Sequence, residues 1–261
     1  MKLGISSAAF YGRWETEEAA EAISRMPVDC AEVFLQTASE YDPGFAALVR
    51  KNLGTVRCTS VHPSGINYEN QMFGRSRRQR QDAFDLFYRV LDAAAELGAQ
   101  YYVYHGRSTA QLSPRPFELQ ANVDMMGEMN EAAQKRGLGI AWENVFWCQL
   151  TTAERVRQVV GALPDVRFTL DIKQAMRAGE KPTDMALAMG KNLAHVHVCD
   201  WRDDGKLCLP GEGAFDFQAL FSVLRGIGYT GSIILEPYLA LIKSDEALAR
   251  SIEYLKIKHD A

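Results

Sequence analysis

Eight short β-rich runs alternate with longer segments of helical pattern, and this alternation most constrains what the chain can fold into. Strict alternation of strands and helices predicts a parallel sheet covered by helices. Eight such units within 261 residues favour a sheet closed into a barrel over an open, doubly wound sheet. We therefore predict an α/β fold, a single (β/α)8 barrel, formed by one domain that spans residues 1–261.

The predicted helices and strands follow from the spacing of apolar residues. The clearest helix, Ser76–Leu97, has Phe84, Phe87 and Leu91 at helical spacing, and Gly98 supplies its C-terminal cap. The other predicted helices are Thr16–Ser24, Phe45–Asn52, Phe117–Arg136, Thr151–Val160, Thr183–Met189, Asp216–Ile227 and Asp245–Lys256. The predicted strands are Lys2–Ser6, Ala31–Leu35, Val56–Val61, Gln100–His105, Gly139–Glu143, Arg167–Asp171, Ala194–Cys199 and Ser232–Glu236.

Composition and charge exclude several classes of protein. The chain is 47% apolar and 24% charged, and it has no apolar run of the roughly 20 residues that span a bilayer. A net charge of −4 argues against a general nucleic-acid binder, so we interpret the arginine-rich segment 75–80 as a solvated helix start. The five cysteines are scattered and form no CxxC pair. We therefore expect a cytoplasmic protein with free thiols, without a membrane or nucleic-acid partner.

Histidines and acidic residues, which can bind a metal ion or transfer protons, lie at or near the ends of six successive predicted strands. In a β/α barrel the carboxyl ends of all strands lie on one face, and that face carries the active site. Carboxylates at the ends of apolar strands are costly unless they are paired, hydrogen-bonded or bound to a metal. The six residues are His62, His105, Glu143, Asp171, His197 and Glu236.

Four of these residues make a mixed oxygen and nitrogen ligand set. Glu143, Asp171 and Glu236 offer carboxylates, and His197 offers an imidazole. Such a set suits Mn²⁺, Mg²⁺, Co²⁺ or Zn²⁺ and leaves positions open for substrate oxygens. We therefore predict that these four side chains bind a divalent metal ion. The alternative for each residue alone is a buried polar group tied to a neighbouring side chain or to backbone.

Short motifs occur in a characteristic order along nearly the whole chain. They are Ser60-Val61-His62-Pro63 followed by Ile66-Asn67, then Tyr104-His105-Gly106, Glu143-Asn144, Leu170-Asp171, His197-Val198-Cys199-Asp200, Leu209-Pro210-Gly211-Glu212-Gly213 and Leu235-Glu236-Pro237. By these motifs the chain resembles the xylose isomerase-like superfamily of TIM barrels, which contains sugar phosphate isomerases and epimerases.

This resemblance implies a site and a reaction. It implies that Glu143, Asp171, His197 and Glu236 are the metal ligands and that Glu143 and Glu236 are also catalytic. In epimerases of this kind the two glutamates move protons through an enediolate of the sugar. The expected substrate is a small sugar or sugar phosphate from carbohydrate metabolism. Many relatives form homo-oligomers, so the resemblance leaves the oligomeric state open between a monomer and a homo-oligomer.

The chain departs from the family pattern at several positions. Gln174 stands where the family commonly has a histidine, Gln149 where ketose 3-epimerases often have a glutamate, and Cys208 near another usual histidine. Lys173 is an unusual neighbour of the predicted ligands, and we expect it to face solvent. Three alternatives to an epimerase therefore stay open: an inosose-type dehydratase, an endonuclease IV-like phosphodiesterase and a degenerate sugar-binding barrel.

Other residues near the predicted strand ends are candidates for substrate binding. Histidine and amide groups can bind sugar hydroxyls, arginines can bind an anionic group, and tryptophans can stack on the apolar face of a sugar. Packing at the barrel rim is the alternative for each. The candidates are His62, His105, Arg107, Gln174, Asp200, Arg202, Trp14 and Trp147.

Overall fold

A closed barrel of parallel strands forms the centre of the molecule. The computed structural model describes residues 1–65, 68–109 and 116–260, so Ile66 and Asn67 of one family-like motif lie outside the described residues. The strands are β1 (Lys2–Ser6), β2 (Cys30–Leu35), β3 (Arg57–Pro63), β4 (Tyr101–Tyr104), β5 (Gly139–Glu143), β6 (Arg167–Asp171), β7 (Leu193–Val198), β8 (Asp200–Trp201), β9 (Leu207–Cys208) and β10 (Ser232–Leu235).

The order of the strands confirms the predicted eightfold barrel. Strands β1 to β7 are neighbours in chain order, β10 follows β7, and the pairing of Lys2 with Ser232 starts the ladder that closes the barrel. Strands β8 and β9 form a separate antiparallel hairpin that was not predicted. Each has only two residues, too few to show an alternating pattern in the sequence.

Helices surround the barrel and connect its strands. They are α1 (Thr16–Ile23), α2 (Pro43–Leu53), α3 (Glu69–Met72), α4 (Arg77–Leu97), α5 (Leu119–Gln134), α6 (Ala153–Ala162), α7 (Ile172–Arg177), α8 (Pro182–Met189), α9 (Phe217–Gly226) and α10 (Asp245–Asp260). Helices α3 and α7 were not predicted because each is too short to repeat an apolar spacing. In the described part of the chain, no helix has both the length and the apolar character needed to cross a membrane.

The ends of the helices follow from local sequence. Asp42 caps α2 by accepting the backbone N–H of Gly44 at 2.8 Å, and Pro43 takes the first helical position. The helix therefore begins two residues before the predicted start at Phe45. At the end of α4, Gly98 adopts a left-handed conformation with φ of 73°, as the predicted cap requires.

The barrel strands are buried almost throughout, and a few of their polar residues are buried with them. All six residues of β7 are buried, including His195 and His197. On the far side of the barrel, Glu32 and Ser60 are completely buried. A buried carboxylate or imidazole is costly unless it has polar partners. These polar groups therefore have to meet one another inside the barrel, directly below its carboxyl-terminal mouth.

Candidate functional site

The four predicted ligands lie together at the carboxyl-terminal mouth of the barrel. Glu143 and Asp171 are the last residues of β5 and β6, His197 is the last but one of β7, and Glu236 directly follows β10. The register pairs His197 with Asp171 on one side and with Ile234 on the other. As a result, His197 Nδ1 lies 3.9 Å from Glu143 Oε1 and 3.5 Å from Glu236 Oε2.

Three of the four residues carry a buried polar atom that lacks a hydrogen-bond partner among the described residues. These atoms are Glu143 Oε2, Asp171 Oδ2 and His197 Nδ1. Ligand atoms of the same three residues lie within 4.8 Å of one another. Buried polar atoms are normally paired, and a bound ion is one way to satisfy such atoms. The donor set of carboxylate oxygens and one imidazole nitrogen fits a divalent metal ion.

Asp171 has a second role that explains its orientation. Its Oδ1 accepts the backbone N–H of Gln174 at 2.9 Å and so caps α7, which starts immediately after β6. The side-chain amide of Asn144 pairs with the backbone N–H and C=O of Asp171 at 2.7 and 2.9 Å. One carboxylate oxygen is therefore fixed by the fold, and Oδ2 is left directed at the site.

The ring of His197 is held from below by a carboxylate that sequence reasoning missed. Glu32 in β2 is completely buried, and its Oε2 lies 3.0 Å from Nε2 of His197. Nε2 therefore donates its proton to Glu32, and Nδ1 faces the predicted metal position. A histidine that ligates a metal through one nitrogen usually donates the other N–H to a carboxylate or carbonyl in this way.

Glu32 belongs to a fully paired network inside the barrel. Its Oε1 accepts from Ser6 Oγ at 3.0 Å, and its Oε2 accepts from Ser60 Oγ at 2.8 Å and lies 3.0 Å from His195 Nε2. Burial alone would raise the pKa of Glu32, but His197 and His195 hold it well below its ordinary value. The sequence did contain a sign that Glu32 has a special role, because it is a charged residue within the apolar strand Cys30–Leu35.

Lys173 corrects one sequence-based expectation, because it does not face solvent. Its side chain is only 5% exposed, and Nζ lies 2.7 Å from Glu236 Oε2 and 3.2 Å from Asp171 Oδ2. Burial disfavours the charged amine, but Asp171 and Glu236 outweigh this and raise the pKa of Lys173 well above its ordinary value. The error arose because α7, which turns the side chain inward, was not predicted.

The pKa values of the carboxylates differ, although Glu143 and Asp171 are buried and Glu236 is only 12% exposed. Burial favours protonation of Glu143, but His105 and His62 outweigh it and keep the pKa of Glu143 well below its ordinary value. For Glu236, Lys173 and His197 likewise lower the pKa against the effect of burial. Burial raises the pKa of Asp171 to about 6 despite the nearby ammonium of Lys173. Glu143 and Glu236 are thus ionised near neutral pH and able to accept protons.

His62 and His105 both approach Glu143. Their Nε2 atoms lie 3.5 and 3.3 Å from Glu143 Oε2, and the two rings are 4.5 Å apart. Nδ1 of His62 lies 3.0 Å from the carbonyl oxygen of Pro63, which leaves Nε2 to face the carboxylate. Ligand atoms of His62, His105 and Glu143 also lie within 4.8 Å of one another. These three residues are therefore a second group able to hold a cation.

A cavity of about 220 Å³ opens from these residues to the surface. Its polar lining includes Glu143, Glu236, His105 and Lys173, and Phe34 and Tyr238 contribute apolar faces. Gln174 also lines it, at the position where the family commonly has a histidine. The cavity combines apolar rings with a few converging polar groups, as small-molecule sites do.

The two candidate tryptophans lie in different places. The ring of Trp147 packs edge-on against His105 with centroids 5.6 Å apart, so it borders the site. Trp14 instead packs on Phe10 and lines a separate cavity between α1 and α10. Neither tryptophan is among the described residues that line the cavity at the barrel mouth. The structure therefore brings only Trp147 near the predicted ligands.

The two candidate arginines each pair with a glutamate. Arg107 forms an ion pair with Glu118, and Arg202 lies 3.0 Å from Glu212 at the surface. Among the described residues, neither arginine lines the cavity at the barrel mouth. Arg107 borders a neighbouring cavity, whose lining also includes Arg75.

Asp200, another candidate for substrate binding, has its carboxylate fully engaged by backbone. Its two oxygens accept N–H groups of Trp201, Gly211, Gly213 and Phe215 at 2.7 to 3.1 Å. A Cβ on Gly213 would lie 2.3 Å from Asp200 Oδ1, so this glycine is required for the close approach. The Pro-Gly-x-Gly segment therefore wraps around Asp200, and this differs from the role in substrate binding that we expected.

Comparisons with known proteins agree with the barrel fold. The family model described as xylose isomerase-like TIM barrel matches residues 20–258. An inosose isomerase of Bacillus subtilis (strain 168) is 24% identical over 202 residues, which cover 72% of this chain and 73% of that protein.

Solved structures share the fold at low sequence identity. A D-psicose 3-epimerase of Clostridium cellulolyticum H10, solved with D-tagatose, matches with a TM-score of 0.81 at 18% identity, over 100% of this chain and 98% of that chain. The IOLI protein, solved with a bound zinc atom, matches with a TM-score of 0.77 at 20% identity, over 99% and 96% of the two chains. From the family model and the closed barrel together, we conclude that the chain belongs to the xylose isomerase-like TIM barrel family.

Proposed function

We propose that the protein is a divalent-metal-dependent isomerase or epimerase of a small sugar or sugar phosphate. The observation that carries the proposal is the convergence of Glu143, Asp171 and His197 at the mouth of the barrel. Ligand atoms of these residues lie within 4.8 Å of one another, and each residue carries a buried polar atom without a hydrogen-bond partner among the described residues. Glu236 completes the set from the opposite side of His197. Sugar epimerases and an inosose isomerase among the matching proteins support this class of reaction.

In this proposal Glu143, Asp171, His197 and Glu236 hold the ion. A divalent ion bound there would supply Lewis acidity, which polarises a carbonyl and an adjacent hydroxyl oxygen of the sugar and acidifies the C–H bond between them. One structural neighbour was solved with a bound zinc atom, which supports a metal ion in this protein as well. The ion is one of Mn²⁺, Mg²⁺, Co²⁺ or Zn²⁺, since all four accept oxygen and nitrogen ligands.

Glu143 and Glu236 are the proposed groups for proton transfer. Both are ionised near neutral pH, and both lie within 4 Å of His197 Nδ1, on strands that approach from opposite sides. One glutamate would remove the proton from carbon, and the other, after taking up a proton from solvent, would return it to the opposite face of the enediolate. His62 and His105 would keep Glu143 ionised and oriented, and Gln174, Trp147 and the ring of Tyr238 would contact the sugar.

The proposal is tested by hydrogen exchange with solvent. The Mn²⁺-loaded protein is incubated in D₂O with a panel of ketoses, ketose phosphates and inososes. Deuterium should enter at the carbon next to the carbonyl, and the product should be an isomer of the substrate. Glu143→Gln and Glu236→Gln should each slow exchange by at least about 100-fold, the usual contribution of a positioned acid or base. Glu212→Gln, at the surface pair with Arg202, is the control and should keep the wild-type rate.

Other outcomes discriminate between the alternatives. A product lighter by one water would identify a dehydratase, and cleavage of abasic DNA would identify a phosphodiesterase. Full turnover by Glu143→Gln on a confirmed substrate would rule out the proposed proton transfer. If no substrate exchanges hydrogen and no metal binds, the barrel is a sugar-binding protein at most.

A further inference from the structure

The side chain of Lys173 places a permanent positive charge among the proposed metal ligands. Its ammonium lies 2.7 Å from one carboxylate oxygen of Glu236 and 3.2 Å from Asp171 Oδ2. It also lies 3.4 Å from the backbone carbonyl oxygen of Glu236. Two of the four proposed ligands are therefore already in contact with a cation.

The fold restricts where this ammonium can go. Lys173 is the second residue of α7, which is capped by Asp171 itself, so its backbone is tied to the ligand that its side chain contacts. The ring of Tyr238 lies 5.0 Å from Nζ on the outer side, and the side chain is 5% exposed. The side chain is mostly shielded from bulk water, so charge–charge interactions here are stronger than at an exposed surface.

The balance of charge between the ammonium of Lys173 and the nearby carboxylates indicates how Lys173 affects metal binding. Without a metal ion, the ammonium neutralises part of the negative charge of Glu143, Asp171 and Glu236. A divalent ion would have to approach Asp171 Oδ2, which is unpaired by hydrogen bonds but only 3.2 Å from Nζ. At such separations a second cation is strongly repelled.

We propose that Lys173 is an internal counter-ion that competes with the divalent metal for Asp171 and Glu236. Metal entry requires the ammonium to leave these two carboxylates, so Lys173 lowers the affinity for the metal and stabilises the metal-free site. With the ion bound, the charges of the three ligand carboxylates, the ammonium and the metal ion sum to zero. The inference rests on the proposed metal site but not on the proposed reaction.

The test is the metal affinity of charge variants. Mn²⁺ binding is measured by isothermal titration calorimetry on the wild type, Lys173→Met and Lys173→Gln. Removing the positive charge should lower the Kd for Mn²⁺ by at least about tenfold. Lys173→Arg keeps the charge and should not bind Mn²⁺ more tightly than the wild type. Arg177→Met is the matched control, because Arg177 lies on the same helix and contacts Tyr238 rather than the carboxylates.

Thermal melting gives a second, independent readout. Without metal, Lys173→Met should melt below the wild type, because Asp171 and Glu236 lose their counter-ion. With saturating Mn²⁺, its gain in melting temperature should exceed that of the wild type, as tighter binding to the folded state requires. The Gln variant provides the same comparison if the Met variant does not fold.

The outcomes separate this inference from the proposed function. An unchanged or higher Kd in both Lys173→Met and Lys173→Gln would overturn the inference, whatever the catalytic activity. Absence of metal binding by every variant would overturn it as well. Tight binding by Lys173→Met without any isomerase activity would support the inference and count against the proposed reaction.

Discussion

At the scale of single residues, the carboxylate of Glu32 organises the proposed metal site from below. It accepts from Nε2 of His197 and is itself held by Ser6, Ser60 and His195. These bonds fix both the orientation of the His197 ring and the nitrogen that faces the barrel mouth. Glu32 does not line the cavity, so its influence on a bound ion acts through His197.

Replacing Glu32 with Gln should weaken metal binding without unfolding the protein. The amide is neutral, so it supports His197 less well, and we expect the Kd for Mn²⁺ to rise about 10- to 100-fold. The measurement is calorimetric titration with Mn²⁺, with circular dichroism to confirm the fold. Glu40→Gln is the control, because Glu40 is also a buried carboxylate, bonded to Thr16 Oγ1 at 2.9 Å, but lies outside the site. An equal change in both variants would show that loss of a buried charge, not support of His197, causes the effect.

At the scale of elements, the chain between β7 and α9 is organised around one aspartate. Asp200 begins the short hairpin of β8 and β9 and accepts backbone N–H groups from Trp201, Gly211, Gly213 and Phe215. Gly211 has φ of 92°, a conformation that other residues rarely adopt. The hairpin and the glycine-rich turn are therefore a single unit held by a buried carboxylate.

Asp200→Ala should destabilise this unit strongly. Four backbone N–H groups would lose a charged acceptor, and we expect a loss of about 3 kcal/mol in the free energy of unfolding. Asp204→Ala, in the exposed turn of the same hairpin, should change it by less than about 0.5 kcal/mol. Urea denaturation followed by circular dichroism measures both. Similar values for the two variants would contradict the role of Asp200 as the anchor of the turn.

At the scale of the whole molecule, the buried barrel controls the chemistry of the thiols. All five cysteines are buried and unpaired. Burial raises the pKa of Cys58 and of Cys199 to about 12. Because the thiolate is the reactive form, a raised pKa lowers the reactive fraction at pH 8 and reinforces the effect of burial.

The native protein should therefore react slowly with Ellman's reagent at pH 8. Fewer than about one thiol per chain should be modified in the folded state, and all five should react in guanidinium chloride. The released chromophore is measured by absorbance, and the modified chain by mass spectrometry. Rapid modification of the folded protein, or fewer than five thiols after unfolding, would contradict the arrangement of the cysteines in the structure.

The periodicity of apolar residues was sufficient to predict the barrel and most of its strands and helices. Strand ends were also sufficient to predict that Glu143, Asp171, His197 and Glu236 meet, because parallel strands of a barrel share one carboxyl-terminal face. Short elements, such as α7 and the β8–β9 hairpin, were beyond prediction because they contain less than two periods of any pattern.

By itself, then, the sequence determined the barrel, the face that carries the site and the residues that converge there, since these depend on local periodicity and on strand order. Only the tertiary structure decided what surrounds those residues. Glu32 reaches His197 across 165 positions of sequence, and Lys173 reaches Glu236 across 63. Contacts of this kind depend on which side chains the closed barrel brings together, and they cannot be predicted from the spacing of residues along the chain. For this reason the sequence showed which ligand residues converge, and only the structure showed that Glu32 and Lys173 contact them.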